Sequence, residues 1–158
     1  MFVPFNTLPL NSRIWIYQSN RAFLEKELLS IKESLKTFIT NWQRHGSGLK
    51  ASYKIIYNQF IVIAVADMVS GCSIDASVHT LQKIEQQFNV NLTDKMQTAF
   101  KNGDNINTVS LSEFKKYVGL NKITEDTIVF NNMVDTVVGL QNNWEVPAKN
   151  SWHKKYFK

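Results

Sequence analysis

The stretch ASYKIIYNQFIVIAVAD, Ala51 to Asp67, contains two strand-like runs that meet near Asn58. Both are rich in β-branched and aromatic residues, and a chain reversal at Asn58 makes them a hairpin. The second run, FIVIAVA, is apolar at successive positions rather than alternate ones. A strand of that kind is covered on both faces, so it belongs at the centre of a sheet.

Working outward, Arg13 to Gln18 (RIWIYQ) follows the breakers Pro9, Asn11 and Ser12 and reads as another strand. Between it and the hairpin, Leu24, Leu28, Ile31, Leu35, Phe38 and Trp42 recur at steps of 4, 3, 4, 3 and 4. That period predicts a helix over Asn20 to His45, with Ser19 or Asn20 as its cap and Gly46 as its stop. After the turn SGCS, Ile74, Val78, Leu81, Ile84 and Phe88 recur at steps of 4, 3, 3 and 4 and predict a second helix ending near Asn89. DKMQTAFK reads as a strand, and Asn102-Gly103 marks a hairpin into NINTVSL. The resulting order, β-α-β-β-α-β, is that of an α+β ferredoxin-like sandwich.

These elements predict a single domain over 1–158, with its core at about 12–103 and a C-terminal α/β extension at about 104–158. The extension carries a short helix around Ser112 to Tyr117, a strand TIVFN and an amphipathic segment near Met133 to Trp144. It must bury Phe114, Phe130, Trp144, Trp152 and Phe157, and the open face of the sheet is the expected place. Trp15 and Tyr17 are expected as core beneath it.

At 44% hydrophobic residues the chain can build a substantial core. MFVPFNTLPL has no charged leader and two prolines in its apolar stretch, unlike a secretory signal. FIVIAVA is about a third of the roughly 20 residues of a membrane-spanning helix. The single cysteine excludes an internal disulfide framework and fits a reducing, cytoplasmic compartment. The net charge of +5 owes much to Lys149, Lys154, Lys155 and Lys158 near the end of the chain, so the body is nearly neutral.

In the ferredoxin-like order, strand directions alternate, and one pole of the sandwich collects the start of the first strand, the end of the first helix and the SGCS turn. That places Arg13, Trp42, His45, Ser70, Gly71, Ser73 and Asp75 together as a candidate ligand site. A helix N-terminus has unpaired N–H groups and a partial positive charge, so the turn suits an anion, or a thiolate at Cys72. Arg13 and His45 add positive charge, and Asp67 and Asp75 oppose it. The plainer readings are structural. Ser73 or Asp75 caps the second helix, Gly71 supplies a positive φ, Cys72 is a packed bystander, and His45 bonds the last carbonyls of its helix.

No GxxxxGK[ST] loop is present, and His45, His79 and His153 with one cysteine show no zinc-binding spacing, so neither a cofactor nor a metal is expected. The third strand lacks the glycine-aromatic pattern of ribonucleoprotein domains, which leaves the aromatics of the Arg13 to Gln18 strand and the lysine tail as the only pointer to nucleic acid.

LPLNSRIWIYQSNRAF, WQRHG, SGCSIDASV, VFNN and NWEVPAKNSWHKKYF together resemble a family of small uncharacterised bacterial proteins sometimes labelled "ABC transporter ATPase". The resemblance spans nearly the whole chain and implies a bacterial, cytoplasmic setting. It carries over no catalytic residue, and the missing phosphate loop does not fit the ATPase label. The leading expectation is a binding or interaction domain for a small anionic ligand or a protein partner, compatible with a homo-oligomer. A cysteine-dependent enzyme using Cys72 and His45, and a nucleic-acid-binding module, are the alternatives.

Overall fold

A computed structural model describes every residue from Met1 to Lys158. Strand β5 (Phe60–Val65) is buried at all six positions and lies between β1 (Arg13–Gln18) and β4 (Ala51–Ile56), antiparallel to both. Its continuous apolar run therefore does mark the central strand. The β4–β5 turn reverses at Tyr57 and Asn58, both in the left-handed region at φ 55° and 52°.

Helices α1 (Glu25–Thr40) and α2 (Gly71–Phe88) supply Ile31, Leu35, Ile39, Leu81 and Ile84 to one core with Ile61, Ile63 and Val65 of β5. Trp15 and Tyr17 belong to this same helix-side core, where Trp15 packs edge-on to Trp42 at 6.4 Å. They were expected on the other face. The alternation of β1 says that they share a face but not which one.

The chain forms two compact units, Met1–Thr93 and Asp94–Lys158, and mixes helix and sheet in both. In the first, the strand order β1-β5-β4 with two helices follows the expected β-α-β-β-α sequence. The next strand, β6 (Gln97–Asn102), does not join it. It pairs with β7 (Asn105–Ser110) and β8 (Ile128–Phe130) in a separate sheet of order β7-β6-β8-β9, in which β9 is Glu145–Pro147. The Gly103-Asp104 loop closes the β6–β7 hairpin, with Gly103 at φ 63°. Helices α3 (Leu111–Gly119) and α4 (Val137–Asn143) complete the second unit with two short 3-10 turns, Ala148–Asn150 and Trp152–Tyr156. Phe114, Phe130 and Trp144 are buried as expected, while Trp152 and Phe157 are half-buried.

The start and end of α1 differ from the periodicity reading. The helix begins at Glu25, not Asn20, because Glu27 satisfies its first turn by accepting the Leu24 amide at 2.8 Å. The same carboxylate receives both Nη groups of Arg21, at 2.8 and 2.9 Å, and Arg21 also donates to the Phe88 carbonyl at the end of α2. One ion pair thus ties the first turn of α1 to the last turn of α2. The Arg21 guanidinium, and then the Leu24 amide, hold the Glu27 carboxyl at about 2, below its ordinary 4.5. Its stabilisation is present above pH 4.5 and is lost as pH falls towards 2. Glu27→Gln is expected to flatten the loss of stability across that window; equal acid sensitivity of the two proteins in denaturant titrations would refute the link.

α1 ends at Thr40, and residues beyond it form a miniature hairpin of β2 (Gln43–Arg44) and β3 (Ser47–Gly48). His45 and Gly46 make its turn at φ 51° and 82°. Gly46 therefore shapes a hairpin rather than stopping the helix, and His45 does not sit in the last helical turn. Trp42 keeps its place on the apolar face although the helix has ended.

Candidate functional site

Trp42 is the pivot of the predicted pole. Its ring is 3% exposed and packs 5.0 Å from Phe38, and its indole N–H donates to the Ser73 carbonyl at 2.9 Å. Ser73 in turn donates its hydroxyl to the Gln43 carbonyl at 2.7 Å. Two side-chain bonds therefore latch the first turn of α2 onto the segment leaving α1. This is why residues far apart in the sequence meet here.

The N-cap of α2 is Ser70, whose hydroxyl accepts the Ser73 amide at 3.2 Å. The expectation that Ser73 or Asp75 caps the helix is thus corrected. Ser73 is buried within the first turn, where its own hydroxyl bridges to Gln43, and Asp75 is an exposed residue farther along the helix. Gly71 is the first helical residue and does not have a positive φ, so the turn does not need glycine for its backbone. A Cβ placed on Gly71 meets no atom within 4 Å. Gly71→Ala is expected to raise stability by up to about 1 kcal/mol, through helix propensity and a less flexible unfolded chain. A drop in urea midpoint would contradict this reading of the turn.

Around this latch lies an open cleft of about 590 Å³ between the end of α1, β2 and the start of α2. Of the residues singled out in the sequence, Trp42, His45, Ser70, Gly71, Cys72 and Ser73 line it. Arg13 and Asp75 do not. Arg13 begins β1 with its guanidinium 4.8 Å above the Trp15 ring, an internal cation–π contact. Thr37, Phe38, Asn41, Gln43 and Ala76 complete the lining and were not foreseen. Thr37 in the last turn of α1 and Asn41, its C-cap, stand four residues apart, a spacing that could have flagged them as neighbours of each other, one position round from the Phe38 and Trp42 pair.

No carboxylate side chain lines this cleft. Asp67, one of the two expected opponents of an anion, accepts the Lys50 amide at 2.8 Å and borders a smaller hollow of about 430 Å³ with Arg44 and His45. The serines have largely spent their hydrogen bonds internally: Ser70 and Ser73 lie 2.9 Å apart, oxygen to oxygen. The amides of Gly71 and Cys72, at the start of an 18-residue helix, have no preceding turn to pair with. Cys72 is exposed, so it is not a packed bystander; no hydrogen bond joins it to His45.

Searches of protein-family models, curated proteins and solved structures find no match to this chain. No helix is long and apolar enough to cross a membrane.

Proposed function

We propose that this chain is a binding domain whose cleft at the start of α2 takes a small anionic ligand. The observation that carries the reading is the composition of the cleft wall: helix-start amides and an imidazole, with no carboxylate side chain among the lining residues. The first unit also keeps the strand and helix order of a ferredoxin-like sandwich up to its last strand, an architecture that hosts many functions, so the reading rests on the site itself. Kinship with small bacterial cytoplasmic proteins is part of the same proposal.

Thermal shift with phosphate, sulfate and nucleotides tests it. A rise in Tm with at least one of them is expected in the native chain and is lost in Cys72→Asp. That substitution adds a negative charge at the cleft while favouring the helix electrostatically. If no anion shifts Tm, or if Cys72→Asp leaves the shift intact, the site is wrong.

A second reading, a cysteine-dependent enzyme, has one specific observation in its favour: exposed Cys72 and His45 line the same cleft. The pH profile of iodoacetamide alkylation separates it from the first. A reactive thiolate well below pH 8 supports a nucleophile, and an ordinary profile near the free-thiol value of about 8.5 removes it.

A further inference from the structure

The positive charge of the second unit is not spread evenly among its partners. Lys101 pairs with Glu145 and Lys149 with Asp126, each at 2.8 Å. Lys115 and Lys116 of α3, Lys122 just after it, and Lys154 and Lys155 of the last 3-10 turn are exposed and make no ion pair. These elements abut: Phe114 of α3 packs 5.1 Å from the His153 ring and 5.6 Å from the Tyr156 ring. The only carboxylate on α3 or the last 3-10 turn is Glu113, and it lies in the first turn of α3, bonded to the Ser110 cap.

Aromatic rings lie between the lysines. The Lys122 ammonium stands 5.7 Å from the centre of the Tyr117 ring, and that of Lys155 stands 5.4 Å from both Trp152 and Tyr156. All three rings are half-buried. Trp152 is held from behind, stacked on His153 at 3.7 Å with 23° between the ring planes. A rigid ring with a cation over its outer side is the pairing that a single-stranded nucleic acid uses. Cations meet the phosphates of such a strand while its bases stack on aromatic rings. A duplex hides its base faces, so the unpaired strand is the better match.

From this juxtaposition of five unpaired lysines with Tyr117, Trp152 and Tyr156, we infer that the α3 and C-terminal face of the second unit binds single-stranded nucleic acid. The surface differs from the one the sequence suggested. The β1 aromatics are built into the helix-side core, and lysines of α3 join those near the C-terminus. The inference is independent of the cleft in the first unit.

Fluorescence anisotropy of the whole chain with a labelled twenty-nucleotide oligothymidine tests it. Five phosphate contacts predict an affinity that falls roughly 100-fold between 50 and 200 mM salt. The paired substitutions K115E/K116E and K154E/K155E each should weaken binding more than tenfold, with circular dichroism unchanged because these side chains are exposed. An abasic oligomer of the same length, which has phosphates but nothing to stack, should bind at least tenfold more weakly. Absence of binding at 50 mM salt, equal binding of the abasic oligomer, an effect of the C-terminal pair alone, or tighter binding to anionic lipid vesicles than to the oligomer would each overturn it.

Discussion

Trp42→Ala is expected to destabilise the first unit by about 3–5 kcal/mol, the range for deleting a large buried aromatic side chain. The ring is 3% exposed, and its removal takes away contacts with Phe38 and Trp15 together with the donor to the Ser73 carbonyl. Trp42→Phe keeps most of the apolar area and deletes only the N–H, so its cost should be nearer 1 kcal/mol. Urea denaturation followed by circular dichroism gives both values. A Trp42→Ala protein within 1 kcal/mol of the parent would show that the latch between the end of α1 and α2 is not what holds this pole together. Because the same ring forms a wall of the cleft, Trp42→Ala should also abolish any anion-dependent rise in Tm, whereas Trp42→Phe should retain part of it.

The second large effect is a pH dependence centred on His153. The imidazole is fully buried, with Thr98 Oγ1 at 2.7 Å from Nε2 and Ser151 Oγ at 2.8 Å from Nδ1. A neutral ring satisfies both hydroxyls by donating from one nitrogen and accepting at the other. Burial, with a smaller push from the charge of Lys155, lowers the His153 pKa from 6.5 to about 4. Because the folded state prefers the neutral ring, the stabilisation is fully present above pH 6.5 and is lost as pH falls towards 4. The full difference is roughly 3 kcal/mol, of which about 2 kcal/mol is gone by pH 5. His153→Gln should be less stable at pH 7, since the Phe114 and Trp152 contacts are lost, but its stability should change far less between pH 7 and pH 5. Equal pH dependence of the two proteins over that interval would refute the assignment.

The burial of His153 is not legible in the sequence. The residue stands among lysines near the end of the chain, in a segment with no helical or strand period, and nothing local says that its ring goes to the centre of a core. Its burial depends on Thr98, far away in β6, and on Phe114 in α3. The candidate pole was more legible, because the 3.6-residue period of both helices and the alternation of directions around β5 fix which ends lie together. Within that pole, Ser73 and Asp75 were the expected caps by residue type, and Ser70 was not among them. The choice fell to Ser70 because Ser73 is committed to Gln43 and its carbonyl to Trp42.

By itself, then, the sequence determined the main helices and the strands β1, β4, β5, β6 and β7 in their order, the central position of β5 and the neighbourhood of Trp42, His45 and the SGCS turn. All of these follow from periodicity and chain direction, which are local properties. Only the tertiary structure decided that β6, beyond its expected hairpin with β7, pairs with β8 instead of extending the first sheet. A strand's edges offer the same N–H and C=O groups to any partner, and its sequence does not name one. The two-residue loop at Gly103 and Asp104 brings β7 to one edge of β6 at little entropic cost, and β8 takes the other edge, so neither edge is left for β1. The same limit explains the hairpin at His45 and Gly46. Helical spacing carried Trp42 to the right face, but two left-handed residues, which no period reveals, turned the chain away and opened the cleft beside it.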